Sequence, residues 1–529
     1  MPRRNYYRDP KVFRRPSSVT THPDAVNPAS VNADWQLQTP LLDALRLCAQ
    51  RSNTPFYAPG HKRGQGTPAP LAELLGSAVF RADLPELPEL DNLFAPQGPI
   101  QAAQALAAQA FGAEQTWFLA NGSTCGVIAS ILATCSPGDR IILPRNVHQS
   151  AISGLILSGA IPVFVEPEYD LILDLVHSIT PTGVGAALVQ HPDAKAVLMV
   201  YPTYYGVCGD VEAIAQLAHA HNIPLLVDEA HGPHFAFHPE LPTAALNAGA
   251  DLAVQSTHKV LSAMTQAAML HVQGERIDRD RLTKALQLVQ STSPSYLLLA
   301  SLDAARQQMA TQGQELMTRT LQLADLARTE ISRISGLCVL HPEAAGTPGF
   351  KTLDRTRLTV AVSGLGLTGF AADEILNEEF GVTAELPSLQ HLTFIISLGN
   401  TETDIQRLVA ALQQLATQSD RNQPPIDPLL RVAAQTKQQT LLLTPHSSLL
   451  TPRDAWFAPT ETVAIAQAIN RVSAELVCPY PPGIPALLPG EAIAPEAISY
   501  LQQVFAAGGF ITGCADASLA TLKVVRKQG

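Results

Sequence analysis

The chain has 529 residues, 46% of them apolar, and a formal net charge of −11. That length exceeds what one hydrophobic core supports and predicts two or three domains. The negative balance argues against nucleic-acid binding and against attraction to anionic membranes, and no apolar run approaches the ~20 residues that span a bilayer.

The N-terminal charges have no apolar stretch behind them, unlike a secretory signal, so a cytoplasmic protein is expected. Residues 1–33 carry Arg3, Arg4, Arg8, Lys11, Arg14 and Arg15 followed by Pro, Ser, Thr and Asn, and read as a disordered basic arm. Residues 34–97 form a linker with arm helices; Leu41, Leu42, Leu45 and Leu47 among polar neighbours predict an amphipathic helix over 35–49. Over 98–345, helix-like stretches (100–111, 211–221) alternate with strand-like runs at 140–143, 161–165, 196–201, 224–228 and 251–255. That alternation predicts an α/β domain with a mostly parallel sheet covered on both faces. A smaller α/β domain is expected over 346–420, from strands at 358–363 and 392–398 and helices at 371–379 and 402–416. Residues 418–426 read as a linker, and 427–529 as a C-terminal domain with a Pro-rich stretch at 478–489. No internal repeat is visible. The cysteines (48, 125, 135, 208, 338, 478 and 514) are odd in number, scattered and without a C-x-x-C pair, which predicts reduced thiols and no zinc site.

Three segments carry chemistry. Gly122-Ser123-Thr124-Cys125-Gly126 lies between the apolar 117–119 and a helix-like 127–135. A small-residue turn opening a helix offers free N–H groups, hydroxyls and the positive end of the dipole, which suits a phosphate; alone it is equally a plain strand-to-helix turn. Asp228 ends an apolar strand, where doubly wound sheets present ligand groups, although an isolated Asp there also suits a helix cap. Ser256-Thr257-His258-Lys259 follows the apolar 252–254. A lysine behind Ser-x-His, downstream of a strand ending in Asp, is what pyridoxal phosphate (PLP) chemistry needs: an amine to condense with the aldehyde, and a carboxylate to keep the pyridine nitrogen protonated. His148, after the strand at 140–143, suits stacking on a cofactor ring as well as a capping or solvent-facing role. His231 and His234 are lesser candidates, and Cys125 is a small thiol close to the same turn.

These segments, with Tyr57-Ala58-Pro59-Gly60-His61-Lys62-Arg63-Gly64, Leu90-Asp91-Asn92-Leu93-Phe94, Tyr201-Pro202-Thr203-Tyr204-Tyr205-Gly206, Asp228-Glu229-Ala230-His231-Gly232, Ser291-Thr292-Ser293-Pro294 and Pro479-Tyr480-Pro481-Pro482-Gly483, resemble the ornithine/lysine/arginine decarboxylases of the fold-type-I PLP group, from about residue 35 onward. The resemblance implies that Lys259 bonds the cofactor, Asp228 pairs with its ring nitrogen and His148 stacks on the ring. It further implies that Ala230 packs beneath the ring, that Ser123, Thr124, Ser256 and His258 hold the phosphate, and that Thr292 reaches the phosphate from a second subunit. A homodimer or larger homo-oligomer is therefore expected. Glu385, with Asp91 second, is the acidic candidate for the far end of a basic substrate, and His231 stands on the pocket wall where the large inducible enzymes have Trp. Nothing the size of their wing domain precedes residue 35, so the shorter form of the family is expected. The implied reaction is decarboxylation of arginine or lysine, and less of ornithine, to agmatine, cadaverine or putrescine and carbon dioxide. Two rivals stay open: another fold-type-I reaction (an aminotransferase, which clamps the α-carboxylate with an arginine, or a lyase), and a non-catalytic PLP-binding homologue. Decarboxylation gains when the leaving carboxylate lacks a strong cation partner.

Overall fold

Seven short strands build the central sheet, six of them made mostly of Val, Ile, Leu, Ala and Met. They are β1 (Gln115–Leu119), β2 (Arg140–Pro144), β3 (Ile161–Val165), β4 (Ala196–Val200), β5 (Leu225–Asp228), β6 (Leu252–Gln255) and β7 (Ala268–Val272), in spatial order β1-β7-β6-β5-β4-β2-β3. The computed structural model describes residues 35–419, 449–480 and 483–527; the predicted basic arm, most of the predicted linker and the first part of the predicted C-terminal domain lie outside them.

Only β7 opposes the other strands: it pairs antiparallel with both β1 and β6, while the pairs from β6 to β3 are parallel. The sheet is thus mostly parallel, as expected. Strands β4 to β7 are buried along their whole length, which is why they read as continuous apolar runs. Alternate side chains still divide between two cores. Val197 and Met199 of β4 face one core with Ile100 and Leu302; Ala196 and Leu198 face the other with Ile131 and Leu155. Helices α1 (Pro40–Gln50) and α2 (Pro99–Phe111) belong to the first core, and α3 (Gly122–Thr134) and α4 (Gln149–Ser158) to the second.

The five strand-like runs seen in the sequence all fall in this sheet, and the structure adds β1, of which only the apolar 117–119 stood out, and β7, whose pattern drew no attention. It also adds α5 (Tyr296–Ile331), 36 residues long. Its apolar residues do not mark one stripe because it serves two cores: Leu299, Leu302 and Met309 pack on the large sheet, and Ala324, Ala327 and Ile331 on a smaller one. That second sheet has β8 (Cys338–Val339), β9 (Arg357–Ala361), β10 (Leu386–Pro387) and β11 (His391–Ile395), all antiparallel in the order β8-β9-β11-β10. It is backed by α6 (Gly369–Phe380) and α7 (Glu402–Ser419) through Leu358, Val360, Leu376 and Leu412. β8 lies upstream of the boundary expected at residue 345, because two residues are too few to register as a strand. A two-residue pairing of Thr352–Leu353 with Val207–Cys208 stitches the two parts together. The C-terminal part contributes the pairs Thr460–Ala464 with Thr521–Val525 and Cys478–Tyr480 with Phe510–Thr512. Leu476, Cys478 and Leu488 pack into the large-sheet core, and buried Arg145 donates to Pro485 O (2.9 Å) and pairs with Glu491 (3.1 Å). Among the described residues no helix is long and apolar enough to cross a membrane.

Candidate active site

The carboxyl ends of β1, β2, β4, β5 and β6 converge on a cavity of ≈ 250 Å³, closed from the far side by β9, β10 and Tyr480. This edge is where parallel α/β sheets bind ligands. It brings together Ser123, Thr124, His148, Asp228, Ala230, His231, Ser256, His258, Lys259 and Glu385, all singled out from the sequence.

After β1 the chain turns at Gly122, whose φ of +74° suits glycine, and enters α3. The N-cap residue Asn121 makes no side-chain cap; its Oδ1 instead accepts from Ser291 N at 3.2 Å. The first-turn N–H groups of α3 therefore keep their partial positive charge for a ligand. Ser256 Oγ donates to Ser123 Oγ at 2.6 Å, joining the hydroxyls of two elements beside Thr124. His258 sits in the short turn Thr257–Val260, and its Nδ1–H donates to Ala267 O at 3.0 Å. The set suits a dianionic phosphate. Cys125, buried one turn into α3, donates its thiol to Gly122 O (3.0 Å), and burial pushes its pKa to about 12. It is an inert packing thiol.

Asp228 ends β5, buried, with Oδ1 accepting from Ala230 N at 3.2 Å. Burial raises its pKa and the charge of Lys259 opposes that rise. Such a carboxylate gains from any cation brought against it. Lys259 faces the opposite balance: burial lowers its pKa, the Asp228 carboxylate raises it, Arg357 lowers it and Glu385 raises it. Its Nζ lies 3.0 Å from His231 Nε2. His148 proves to be both a cap and a wall. Its Nδ1 accepts from Ser150 N (3.2 Å) and contacts Ser150 Oγ (2.8 Å) at the start of α4, while the ring lines the cavity. Burial, reinforced by the charge of Lys259, pushes its pKa down to about 4, so the ring is neutral near pH 7.

Glu385 lines the cavity while staying exposed. Asp91 does not line it: its carboxylate accepts from the backbone N–H groups of Asn92, Gln97 and Gly98 (2.9, 2.9 and 2.7 Å) just before α2, so it organises a turn. His234 is also elsewhere, fully buried against Asp354 at 3.2 Å. Thr292 is exposed and outside the cavity of its own chain. No cluster of metal-ligating side chains occurs among the described residues.

Sequence reasoning assigned no role to Arg357, Tyr204 and Tyr480. Arg357 begins β9, is 1% exposed, and its Nη2 donates to His231 Nδ1 at 2.8 Å. The Tyr204 ring meets His231 edge-on, with centroids 5.0 Å apart. Both tyrosines sat inside the quoted motifs without a role. A single Arg at the start of an apolar strand carried no signal at all.

Similarity to known proteins agrees with this geometry. The profile of the Orn/Lys/Arg decarboxylase major domain matches residues 39–404, and that of the C-terminal domain residues 435–512. The arginine decarboxylase of Bacillus subtilis (strain 168) is 41% identical over 495 residues, 93% of this chain and 99% of that protein. The constitutive lysine decarboxylase of Escherichia coli (strain K12) is 25% identical, over 88% of this chain and 76% of that protein. Among solved structures, lysine decarboxylase A from Pseudomonas aeruginosa shares the fold, with a TM-score of 0.80 at 24% identity over 94% of this chain and 82% of that one. The α/β architecture is that of the fold-type-I group, and the chain belongs to the Orn/Lys/Arg decarboxylase family.

Proposed function

We propose that this chain is a PLP-dependent decarboxylase that converts arginine or lysine, in preference to ornithine, to the corresponding amine and carbon dioxide. The observation that carries the reading is one cavity holding a half-buried lysine, a buried carboxylate and an uncapped helix N-terminus with clustered hydroxyls. These residues fit PLP. Ser123, Thr124, Ser256, His258 and the first turn of α3 would hold its phosphate, Asp228 its ring nitrogen, Lys259 its aldehyde carbon, and His148 and Ala230 the two ring faces. When bound, the cofactor draws electrons away from the substrate Cα so that the carboxylate can leave.

The protein's own contribution is positioning and protonation. The neutral His148 ring offers a flat face without adding a further cation to a cavity that already holds Arg357. Asp228, held by the Ala230 N–H, keeps negative charge in a place where only a cation relieves its burial. Glu385 gives the basic end of the substrate an acidic partner near solvent. Four arginine decarboxylases at 39–41% identity, against lysine decarboxylases at 25–26%, support arginine ahead of lysine. We further propose a homodimer in which Thr292 from a second subunit completes the phosphate site. Seven free cysteines support a reducing, cytoplasmic setting.

One observation favours a second reading, transamination: the Arg357 guanidinium lines the cavity, and an arginine is what clamps an α-carboxylate. Incubation of the holoenzyme with arginine, lysine and ornithine in equal amounts separates the two. Amine and carbon dioxide without keto acid support decarboxylation and rank the substrates. Stoichiometric keto acid would establish the rival, and the yellow absorbance of bound cofactor without turnover of any of the three would establish a non-catalytic homologue.

A further inference from the structure

Between Lys259 and the small sheet run three side chains whose hydrogens admit only one arrangement. His231 Nδ1 lies 2.8 Å from Arg357 Nη2, and His231 Nε2 lies 3.0 Å from Lys259 Nζ. A guanidinium has N–H donors and no acceptor. Burial lowers the pKa of Arg357, but from so far above neutrality that it stays charged. His231 Nδ1 must therefore present its lone pair. A neutral imidazole has one N–H, which must then sit on Nε2 and point at Lys259. Only an uncharged amine has a lone pair to accept it. An ammonium at 259 or an imidazolium at 231 would set donor against donor across these short contacts.

We propose that Arg357 is a positioning residue: by fixing His231 as its Nε2–H tautomer, it holds Lys259 as a neutral amine, the form that attacks an aldehyde carbon. The inference rests on the reading of Lys259 as the group that bonds the cofactor. Arg357 is built into its place. Its Nη2 also donates to His231 O at 3.3 Å. Among the described residues its Nε and Nη1 have no hydrogen-bond partner, and its counter-charge Asp354 stands 4.0 Å from Nε while also pairing with His234. A guanidinium so weakly compensated is costly to bury, so the fold holds it there against a penalty. Gly206 makes room for it, since a Cβ at that position would fall 2.6 Å from Arg357 Cβ.

The surrounding charges act in both directions. Asp228 and Glu385 favour an ammonium at 259, and Arg357 opposes one. Burial, Lys259, Arg357, His148 and His258 all disfavour an imidazolium at 231. His231 and Lys259 follow strands of the large sheet and Arg357 starts β9 of the small one, so the relay exists only where the two sheets meet.

The test uses the full-length chain prepared without cofactor. The pH dependence of Lys259 acylation by a trace of acetic anhydride, read by peptide mass spectrometry, reports the neutral fraction of the amine. Arg357→Met is expected to cut labelling at pH 7.5 about tenfold, one unit of displaced titration. His231→Asn, which still offers an acceptor to Arg357 and falls short of Lys259, is expected to do the same, and the double variant to fall by clearly less than the two losses multiplied. Loss of the same size on adding Arg357→Met to His231→Asn would mean that the arginine acts by charge alone, and an unchanged single variant would remove it from the relay; either overturns the proposal. A readout on the unaltered protein needs no variant to fold. In chain labelled with ¹⁵N-histidine, His231 is expected to show a bare Nδ1 and a protonated Nε2, and the reverse pattern overturns the proposal. None of these measurements requires turnover, so they stand or fall separately from the assignment of decarboxylation.

Discussion

Gly206→Ala adds one methyl group at a residue that does not itself line the cavity, yet it is expected to damage the site. Gly206 has φ +88°, where an L-residue pays about 1–2 kcal/mol in backbone strain. The new Cβ would stand 2.6 Å from Arg357 Cβ, 3.0 Å from its Cγ and 3.1 Å from Asp354 O, and none of these is the loose end of a side chain. Forcing a methyl into such a packed place costs about 1–3 kcal/mol, so the two effects sum to about 2–5 kcal/mol. The neighbour that yields is the stem of Arg357, and a shift of about 1 Å stretches its 2.8 Å bond to His231 beyond hydrogen-bonding range. Two readouts follow: the thermal unfolding midpoint by circular dichroism, and Lys259 acylation in the cofactor-free chain. The midpoint is expected to fall by several degrees and labelling at pH 7.5 to fall with it. A midpoint within a degree of the parent together with unchanged labelling would refute the close approach of Gly206 and Arg357.

Ser256→Ala removes the fully buried donor of the 2.6 Å bond to Ser123; at about 0.5–1.5 kcal/mol for one neutral hydrogen bond, cofactor affinity measured by absorbance titration is expected to weaken about 2- to 12-fold. His271 is fully buried between Thr116 (2.8 Å) and Gln255 (3.0 Å), and burial pushes its pKa down to about 3. Its folded pKa is depressed below the unfolded one, so the unfolded chain takes up the proton first and stability is lost as pH falls from about 6.5 toward 3, at about 1.4 kcal/mol per pH unit. Relative to His271→Asn, the parent is therefore expected to lose about 2 kcal/mol between pH 7 and 5 in urea unfolding, and a constant difference between the two would contradict the assignment. Cys125, with its thiol pushed to about 12, is expected to resist iodoacetamide at pH 8 while exposed Cys338 is alkylated, as read by peptide mass spectrometry.

What the sequence made legible, and what it hid, divides by the range of the interaction. Lys259, Asp228 and the Gly122-Ser123-Thr124 turn are each announced by their own flanks: an apolar strand followed by a polar group or a small-residue turn. A parallel sheet aligns such strand ends automatically, so locating the strands was enough to gather the residues. His148 was undecided between cap and cavity because both descriptions are true, Nδ1 serving α4 and the ring the site. Asp91 misled because a carboxylate that collects backbone N–H groups in a turn looks, in sequence, like one that awaits a basic substrate. Arg357 was invisible for another reason. Its partner His231 is 126 positions away, and only the packing of two separate sheets brings them together.

That packing bears on how the cavity divides its work. The large sheet supplies the groups that would grip a cofactor, at strand ends whose positions are set by the ladders of the seven-stranded sheet and by two buried cores. The small sheet supplies Arg357 and Glu385, one beside the lysine and one toward solvent. Their charges are opposite and their effects on Lys259 are opposite, Glu385 favouring the ammonium and Arg357 the amine. Their direct effects partly cancel when both recede, but a small displacement of the small sheet would also break the 2.8 Å Arg357–His231 bond, so the first consequence is a change in the proton carried by Lys259, not a collapse of the cradle around Ser123 and Ser256. Variants at the seam between the sheets, such as those that disturb the pairing of Thr352–Leu353 with Val207–Cys208, are accordingly expected to shift the pH dependence of Lys259 reactivity while leaving inorganic phosphate affinity, measured by calorimetry, near that of the parent. Equal loss of both would show that the cavity responds as one unit.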